Sequence, residues 1–255
     1  MHCHMDLGIE GKVALVTAAT KGIGLAIAKE LAREGARVSV VARTKADVES
    51  VAHDLGGFGV AADVTTEDGC ARAVEETQHH LGPVDILVNN YGARAGTSWQ
   101  DTTPKELEAA FAGNVLVCAR MTQLVLPGMV ERRWGRVVVI SSVWGREAGG
   151  APAYNAAKAA ENSLVKSLAR EHASSGVTVN AVAPGSVLWE GGGWDRRQKA
   201  DPDGIADFVR HEMPLGRFGN AEEVASVVAF VCSRQASLVT GACIAVDGAQ
   251  GRSNI

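Results

Sequence analysis

The sequence predicts an α/β fold, a parallel sheet with helices on both faces, and three observations carry that expectation. Short β-branched runs alternate with longer amphipathic stretches over nearly the whole length, the signature of βαβ units. The runs are continuously apolar, as strands buried on both faces must be. A chain of 255 residues that is 46% hydrophobic and 21% charged can fill one large core.

The elements follow in order. Strands are expected at VALVT from Val13, RVSVVA from Arg37, GVAADV from Gly59, DILVNN from Asp85, RVVVIS from Arg136, VTVNAVA from Val177 and CIAVDG from Cys243. Helices are expected at about 22–34, 45–55, 67–81, 104–131, 152–174 and 221–233. No internal repeat or linker-like shift interrupts this alternation, so residues 1–255 are expected to form a single domain. Residues 186–220 break the rhythm with Gly191, Gly192, Gly193, Pro202 and Pro214, and are expected to be an irregular substrate lid.

Composition excludes several classes. With 25 basic and 29 acidic residues the formal charge is −4, and no like-charge run suggests a nucleic-acid footprint or a polybasic anchor. No apolar run of about 18 residues stands out and the N-terminus lacks a signal-peptide core, so no membrane association and a cytoplasmic setting are expected. The five cysteines are odd in number and form no CxxC, which predicts no disulfide. His2, Cys3 and His4 have metal-ligating chemistry, but a terminal segment is usually mobile and no functional metal site is expected.

The first chemical signal is TAATKGIGLAIAKELA, where Gly22 and Gly24 open a helix directly from a strand end. Such a turn aims backbone N–H groups and the helix dipole at one spot, and residues without Cβ let a pyrophosphate approach. Tight helix–strand packing without a ligand would use the same glycines. Asn89, Asn90 and Gly92 close the fourth strand, where ligands collect in open parallel sheets, although an Asn-rich turn has the same composition. Ser142, Tyr154 and Lys158 form the strongest constellation. Positions four apart share one helix face, and the serine leaves the end of the fifth strand just before. A phenol titrates near pH 10, and a neighbouring ammonium favours its phenolate. A serine hydroxyl can hold a carbonyl oxygen while charge develops on it.

In these motifs the chain resembles the short-chain dehydrogenase/reductase family, from about Lys12 to Gly248. The markers are TxxxKGIG at 17–24, Asp63, NNxG at 89–92, Asn114 in FAGNV, Ser142, the YxxxK of Tyr154 and Lys158, and Pro184–Gly185. The resemblance implies a Rossmann-type, doubly wound sheet of seven strands in the order 3-2-1-4-5-6-7 and a nicotinamide cofactor. It implies Tyr154 as general acid/base, Lys158 on the nicotinamide ribose, Ser142 on the substrate carbonyl and Asn114 anchoring a water in the proton relay. The cofactor contacts it implies are Thr17, Ala19, Lys21, Gly22, Ile23, Gly24, Arg43, Asp63, Val64, Asn90, Gly92, Tyr154, Lys158, Pro184, Gly185 and Val187. Ser141 competes with Ser142, which is preferred because SVWG matches the family's SxxG.

Three positions depart from the family pattern. Ala18 replaces the first turn glycine, so weakened or shifted phosphate binding is expected. Tyr91 replaces an alanine and either narrows the pocket or faces a substrate. Trp189 stands where a threonine often contacts the carboxamide.

At the cofactor's 2′ end, NAD-preferring members carry an acid after the second strand, whereas this chain has Ala42 and Arg43, with Lys21 in the glycine turn. Both charges suit a 2′-phosphate, so NADP(H) is expected over NAD(H), unless Arg43 merely faces solvent. Family architecture suggests Tyr91, Arg94, Trp144, Trp189, Trp194 and Met213 for the substrate pocket. That set suits a bulky or planar carbonyl or alcohol, acidic if Arg94 points inward; lid tryptophans also simply exclude water. Reduction of 3-oxoacyl thioesters is the alternative, and it calls for a basic patch, for which Arg132, Arg133 and Arg136 cluster visibly. A non-catalytic NADPH-binding protein is the remaining reading. Helices 104–131 and 152–174 carry more small and apolar residues than one sheet face needs, and in the family they pair across a two-fold axis, so a homotetramer, or else a dimer, is expected. The tail DGAQGRSNI either frays or reaches a neighbouring active site.

Overall fold

The structure is a computed structural model, and it describes residues 6–94 and 96–254. His2, Cys3 and His4 lie outside the described residues. A parallel sheet of seven strands runs in the order β3-β2-β1-β4-β5-β6-β7. Its strands are β1 (Val13–Thr17), β2 (Arg37–Ala42), β3 (Phe58–Ala61), β4 (Ile86–Asn89), β5 (Gly135–Ile140), β6 (Val177–Pro184) and β7 (Cys243–Val246). β1 pairs with β2 and β4 on its two sides, so the chain reverses its direction of winding between them. In an open parallel sheet the crevice at that reversal, beyond the carboxyl ends of the strands, is where ligands bind.

The two faces hold separate cores. On one, α1 (Gly22–Arg33) and α9 (Ala221–Cys232) cover Val16, Val38, Val40, Val88 and Val138. On the other, α3 (Glu67–Leu81), α5 (Val117–Glu131) and α6 (Pro152–His172) cover Leu15, Val41, Leu87, Val137 and Val139. Alternate residues of each strand therefore face opposite layers, and every residue of β1, β4, β5 and β6 is buried. α2 (Lys45–Leu55) connects β2 to β3.

Two expected elements take a different form. The helix expected over 104–131 divides into α4 (Pro104–Phe111), a π-helical turn at Ala112–Leu116 and α5. Asn114 sits in that turn and its Nδ2 donates to the Ala110 carbonyl, so a side chain takes an acceptor of the helical ladder and the backbone widens. Pro104–Glu131 is also long and apolar enough to cross a membrane by length and composition, and the stretch with that character is 50% buried inside the fold. The sequence reading missed it because Lys105, Glu106, Glu108 and Arg120 interrupt the apolar run.

The excursion 186–220, expected to be irregular, contains α7 (Gly193–Ala200) and α8 (Pro202–Glu212). Asp201 caps α8 by accepting from Gly204 N–H, with Pro202 at the first helical position. Trp194 stacks on Phe208 with centroids 4.6 Å apart and lies 5.0 Å from Phe218, giving the segment a small apolar centre of its own. Among the described residues Cys70, Cys118, Cys232 and Cys243 are free thiols.

The described tail ties back to its own chain. Gln250 Oε1 accepts from Ser186 N–H, and Arg252 N–H donates to Glu147.

Candidate active site

The carboxyl ends of β1, β4, β5 and β6 open into a cleft of about 600 Å³. On its phosphate side stands the first turn of α1. Lys21 occupies the cap position, no side chain caps the helix and no acid lies in its first turn, unlike α3, α4, α8 and α9, which their own side chains cap. The positive end of the helix therefore faces the cleft without a side-chain cap or an acid of its own. A Cβ on Gly24 would lie 2.3 Å from Asn90 Nδ2 and 2.5 Å from the Ala18 carbonyl, so only glycine lets the helix seat here. Ala18 itself has φ +52°, a left-handed conformation that the family's glycine adopts without strain.

Thr17 and Ala19 are enclosed instead of lining the cleft. Thr17 Oγ1 accepts from the N–H groups of Asn90 and Tyr91 and so joins β1 to the segment after β4. Gly22 is covered by the Trp189 ring. Lys21, Ile23, Gly24, Asn90, Gly92, Pro184, Gly185 and Val187 do line the cleft.

At its other end the cleft is lined by Ser142, Tyr154 and Lys158. Lys158 Nζ lies 5.7 Å from the centre of the Tyr154 ring, and the Arg94 guanidinium 5.8 Å from it. Ser142 Oγ accepts from Trp144 N–H, an arrangement that orients the hydroxyl and leaves its proton for another acceptor. Ser141 also lines the cleft, but its Oγ donates to the Lys158 carbonyl at 3.5 Å. Asn114 Nδ2 donates to the carbonyls of Ala93 and Ala110, which fixes the amide and leaves its buried Oδ1 without a partner among the described residues. A Cβ on Gly92 would fall 3.1 Å from that Oδ1 and 3.2 Å from Lys158 Nζ, so both polar atoms converge beside this glycine.

Lys158 is almost fully enclosed. Its Nζ donates to the Ile140 carbonyl at 3.0 Å and to Glu161 at 2.9 Å. Burial pushes the Glu161 carboxyl above its ordinary range, against the opposing pull of the Lys158 ammonium. The Cys118 thiol behind the pair is pushed up to about 12 by burial and stays neutral.

Arg43, Asp63 and Val64 line the cleft beyond the ends of β2 and β3, and Thr20, Thr44 and Asp47, which the sequence reading did not name, line it too. The Thr65 hydroxyl, then its N–H, hold the Asp63 carboxyl below its usual range, with a smaller contribution from Arg43.

The six substrate-pocket candidates separate. Tyr91, Arg94, Trp189 and Trp194 line the cleft. Trp189 lies on the glycine turn, since a Cβ on Gly22 would meet its indole at 2.8 Å. Trp144 is stacked on Gly149 and Gly150 outside the cleft, and Met213 lines a separate cavity with Val187 and Gly219. The Arg132, Arg133 and Arg136 cluster is at the amino end of β5, about 15 Å along that strand from the cleft. Arg136 is buried there, with its Nε donating to the Ser233 carbonyl. Glu161 was also missed, although an acid midway along the small and apolar positions 153, 157, 165 and 169 of one helix face is a readable anomaly.

A family model described as Enoyl-(Acyl carrier protein) reductase matches residues 17–249. The chain is 38% identical over 256 residues to the 3-oxoacyl-[acyl-carrier-protein] reductase FabG of Pseudomonas aeruginosa, covering 95% of this chain and 98% of that one. It is 37% identical over 245 residues to FabG of Escherichia coli, covering 95% and 98%. Among solved structures, the L-sorbose reductase of Gluconobacter frateurii, in complex with NADPH and L-sorbose, superposes with a TM-score of 0.91 at 31% identity, covering 98% of this chain and 100% of that one. With this sheet order, this cleft and these relatives, the chain belongs to the short-chain dehydrogenase/reductase family.

Proposed function

We propose that the protein is an NADP(H)-dependent oxidoreductase that interconverts a carbonyl compound and its secondary alcohol. The observation that carries this reading is the convergence of Ser142, Tyr154 and Lys158 at the carboxyl ends of the strands, with the Asn114 Oδ1 acceptor turned toward the same place. The residues fit the dinucleotide. The uncapped first turn of α1 accepts the pyrophosphate, Lys21 and Arg43 the 2′-phosphate, and Lys158 the nicotinamide ribose. NADPH supplies the hydride when bound. Asp47 and Asp63 line the same side, so the preference for the 2′-phosphate rests on the placement of Lys21 and Arg43 and not on an excess of positive charge.

In reduction, Ser142 donates its hydroxyl proton in a hydrogen bond to the substrate oxygen and Tyr154 delivers its phenolic proton as negative charge develops there. In oxidation Tyr154 takes that proton back. Lys158 places its ammonium 5.7 Å from the centre of the Tyr154 ring, where its charge acts on the phenol. Asn114, with its amide held by two carbonyls, presents Oδ1 as a fixed acceptor that would anchor a water, and that water resupplies the proton. The lid is the segment 186–220, whose Trp189 and Trp194 reach the cleft, and the whole chain acts as one domain around this site.

A small organic carbonyl compound is the preferred substrate, with Arg94 and Tyr91 beside Tyr154 as selectors. A 3-oxoacyl thioester is the second reading and rests on the FabG relatives; the arginine cluster lends it no support, because it lies at the opposite end of β5. Exposed Leu116 and Leu124 beside α5, with Phe230 and Leu238 elsewhere, suit a homotetramer, and the free thiols suit a cytoplasmic setting. The test is NADPH consumption against ketones, quinones, keto acids and 3-oxoacyl thioesters, with Tyr154→Phe as the control. Turnover by one class that the variant abolishes is expected, and cofactor binding without turnover on any class would overturn the reading.

A further inference from the structure

Glu161 is 1% exposed, and Lys158 Nζ stands 2.9 Å from its Oε2. The pair is an odd occupant of its position. Ala153, Ala157, Val165 and Ala169 repeat every fourth residue or its multiple along α6 and are all buried, so an apolar side chain at 161 would continue the packed face. Burying two charges costs desolvation that their attraction repays poorly, and an apolar replacement is commonly neutral or stabilising. Stability is therefore a weak reason for a carboxylate at this place.

Its geometry offers a better one. Lys158 is the cation nearest the Tyr154 ring, and the reductase reading above, on which this inference rests, depends on that charge acting on the phenol. We infer that Glu161 is a positioning residue of the reaction: its carboxylate holds the Lys158 ammonium against the Ile140 carbonyl and sets how strongly that charge acts on Tyr154. A cation with a carboxylate 2.9 Å behind it presents a smaller net field than a lone cation. The phenol proton is then held more tightly than beside an unpaired lysine, which favours Tyr154 as the acid of carbonyl reduction.

The other charged and titratable groups facing this set are few among the described residues. Cys118 faces the pair from α5 and stays neutral, its thiol pushed up to about 12. Arg94 faces the Tyr154 ring from the segment after β4 and is the same in every variant below.

The chain contains two tyrosines, which makes a direct test available. In a Tyr91→Phe background the ultraviolet absorbance of tyrosinate reports Tyr154 alone, without cofactor or substrate. Adding Glu161→Gln is expected to lower the midpoint of tyrosinate formation by about 0.5 to 1 pH unit, from a carboxylate charge removed at this range. Glu161→Met, uncharged and of similar length, is expected to lower it likewise, whereas Glu161→Asp leaves it near the parent value. Circular dichroism at each pH shows which variants are folded. A midpoint within about 0.2 unit of the parent in a folded uncharged variant, or one that rises, overturns the inference. Failure of both uncharged variants to fold overturns it in favour of a purely structural pair. Turnover of NADPH by the unaltered protein judges the reductase reading separately, so the two can fail independently.

Discussion

The Trp189 indole lies across Gly22, at the turn where α1 begins. A Cβ on that glycine would stand 2.8 Å from the ring, so the side chain covers backbone that a pyrophosphate has to reach. On the proposed binding mode, cofactor entry includes moving the indole off the turn. Trp189→Ala is expected to tighten NADPH binding about fivefold, the equivalent of about 1 kcal/mol of ring packing no longer displaced. Fluorescence titration of NADPH into the two proteins measures this, and weaker binding by the variant would show that the ring holds the cofactor instead.

Ala18 is held at φ +52°, where a Cβ is strained against its own backbone. Ala18→Gly is expected to relieve about 1 kcal/mol. For a chain of 255 residues that is a rise of about 2–4 °C in Tm by differential scanning calorimetry. The larger entropy glycine brings to the unfolded chain works against this gain, so an unchanged Tm would mean that it cancels the strain relieved, and a lower Tm that the strain at Ala18 is the smaller of the two.

Arg43 follows β2 directly and lines the cleft, as does Lys21 in the glycine turn, and both are proposed to hold the 2′-phosphate. Loss of a charge-assisted bond to a phosphate costs about 1.5–3 kcal/mol. Arg43→Ala is therefore expected to lower the ratio of kcat/KM for NADPH over NADH by about 10- to 150-fold, with NADH itself little affected. An equal loss with both cofactors would place Arg43 in the fold and not at the 2′-phosphate.

Glu223 completes the capping box of α9 by accepting from the Asn220 N–H, and it forms a fork with Arg217 at the end of the lid segment. The Arg217 guanidinium, then the Asn220 N–H, hold its carboxyl down to about 2 from an ordinary 4.5. A depressed folded value means the stabilisation is present above about pH 4.5 and is lost as pH falls toward about 2. Glu223→Gln is expected to be less stable at neutral pH, and the difference from the parent should shrink across that window in urea melts. A constant difference would mean that the carboxylate charge contributes nothing there.

Order in sequence and local chemistry made most of the architecture legible. The doubly buried strands appear as unbroken apolar runs because both faces are covered, and YxxxK shares a helix face because of the 3.6-residue period. The glycine turn was readable because Gly22 and Gly24 stand at a strand end, although close packing, which Gly24 shows against Asn90 and Ala18, calls for the same residue. Other features depended on contacts between residues distant in the chain. Thr17 and Ala19 belong to the right motif, yet the packing of β1 on β4 turns them inward. Trp144 and Met213 are the right residue types for a pocket, but neighbouring glycines and α8 place them outside it.

The helices of the lid were hidden because their centre is made by Trp194, Phe208 and Phe218, three rings spread over two helices and a loop. The π-helical turn was hidden because it depends on one amide choosing the Ala110 and Ala93 carbonyls. The sequence by itself determined the family, the strand succession and the candidate reacting groups, since these rest on periodicity and on residue types at fixed local spacing. The tertiary structure decided which of those groups face the cleft, what covers the phosphate turn and what stands behind Lys158, because burial and charge pairing depend on distances that chain order does not contain.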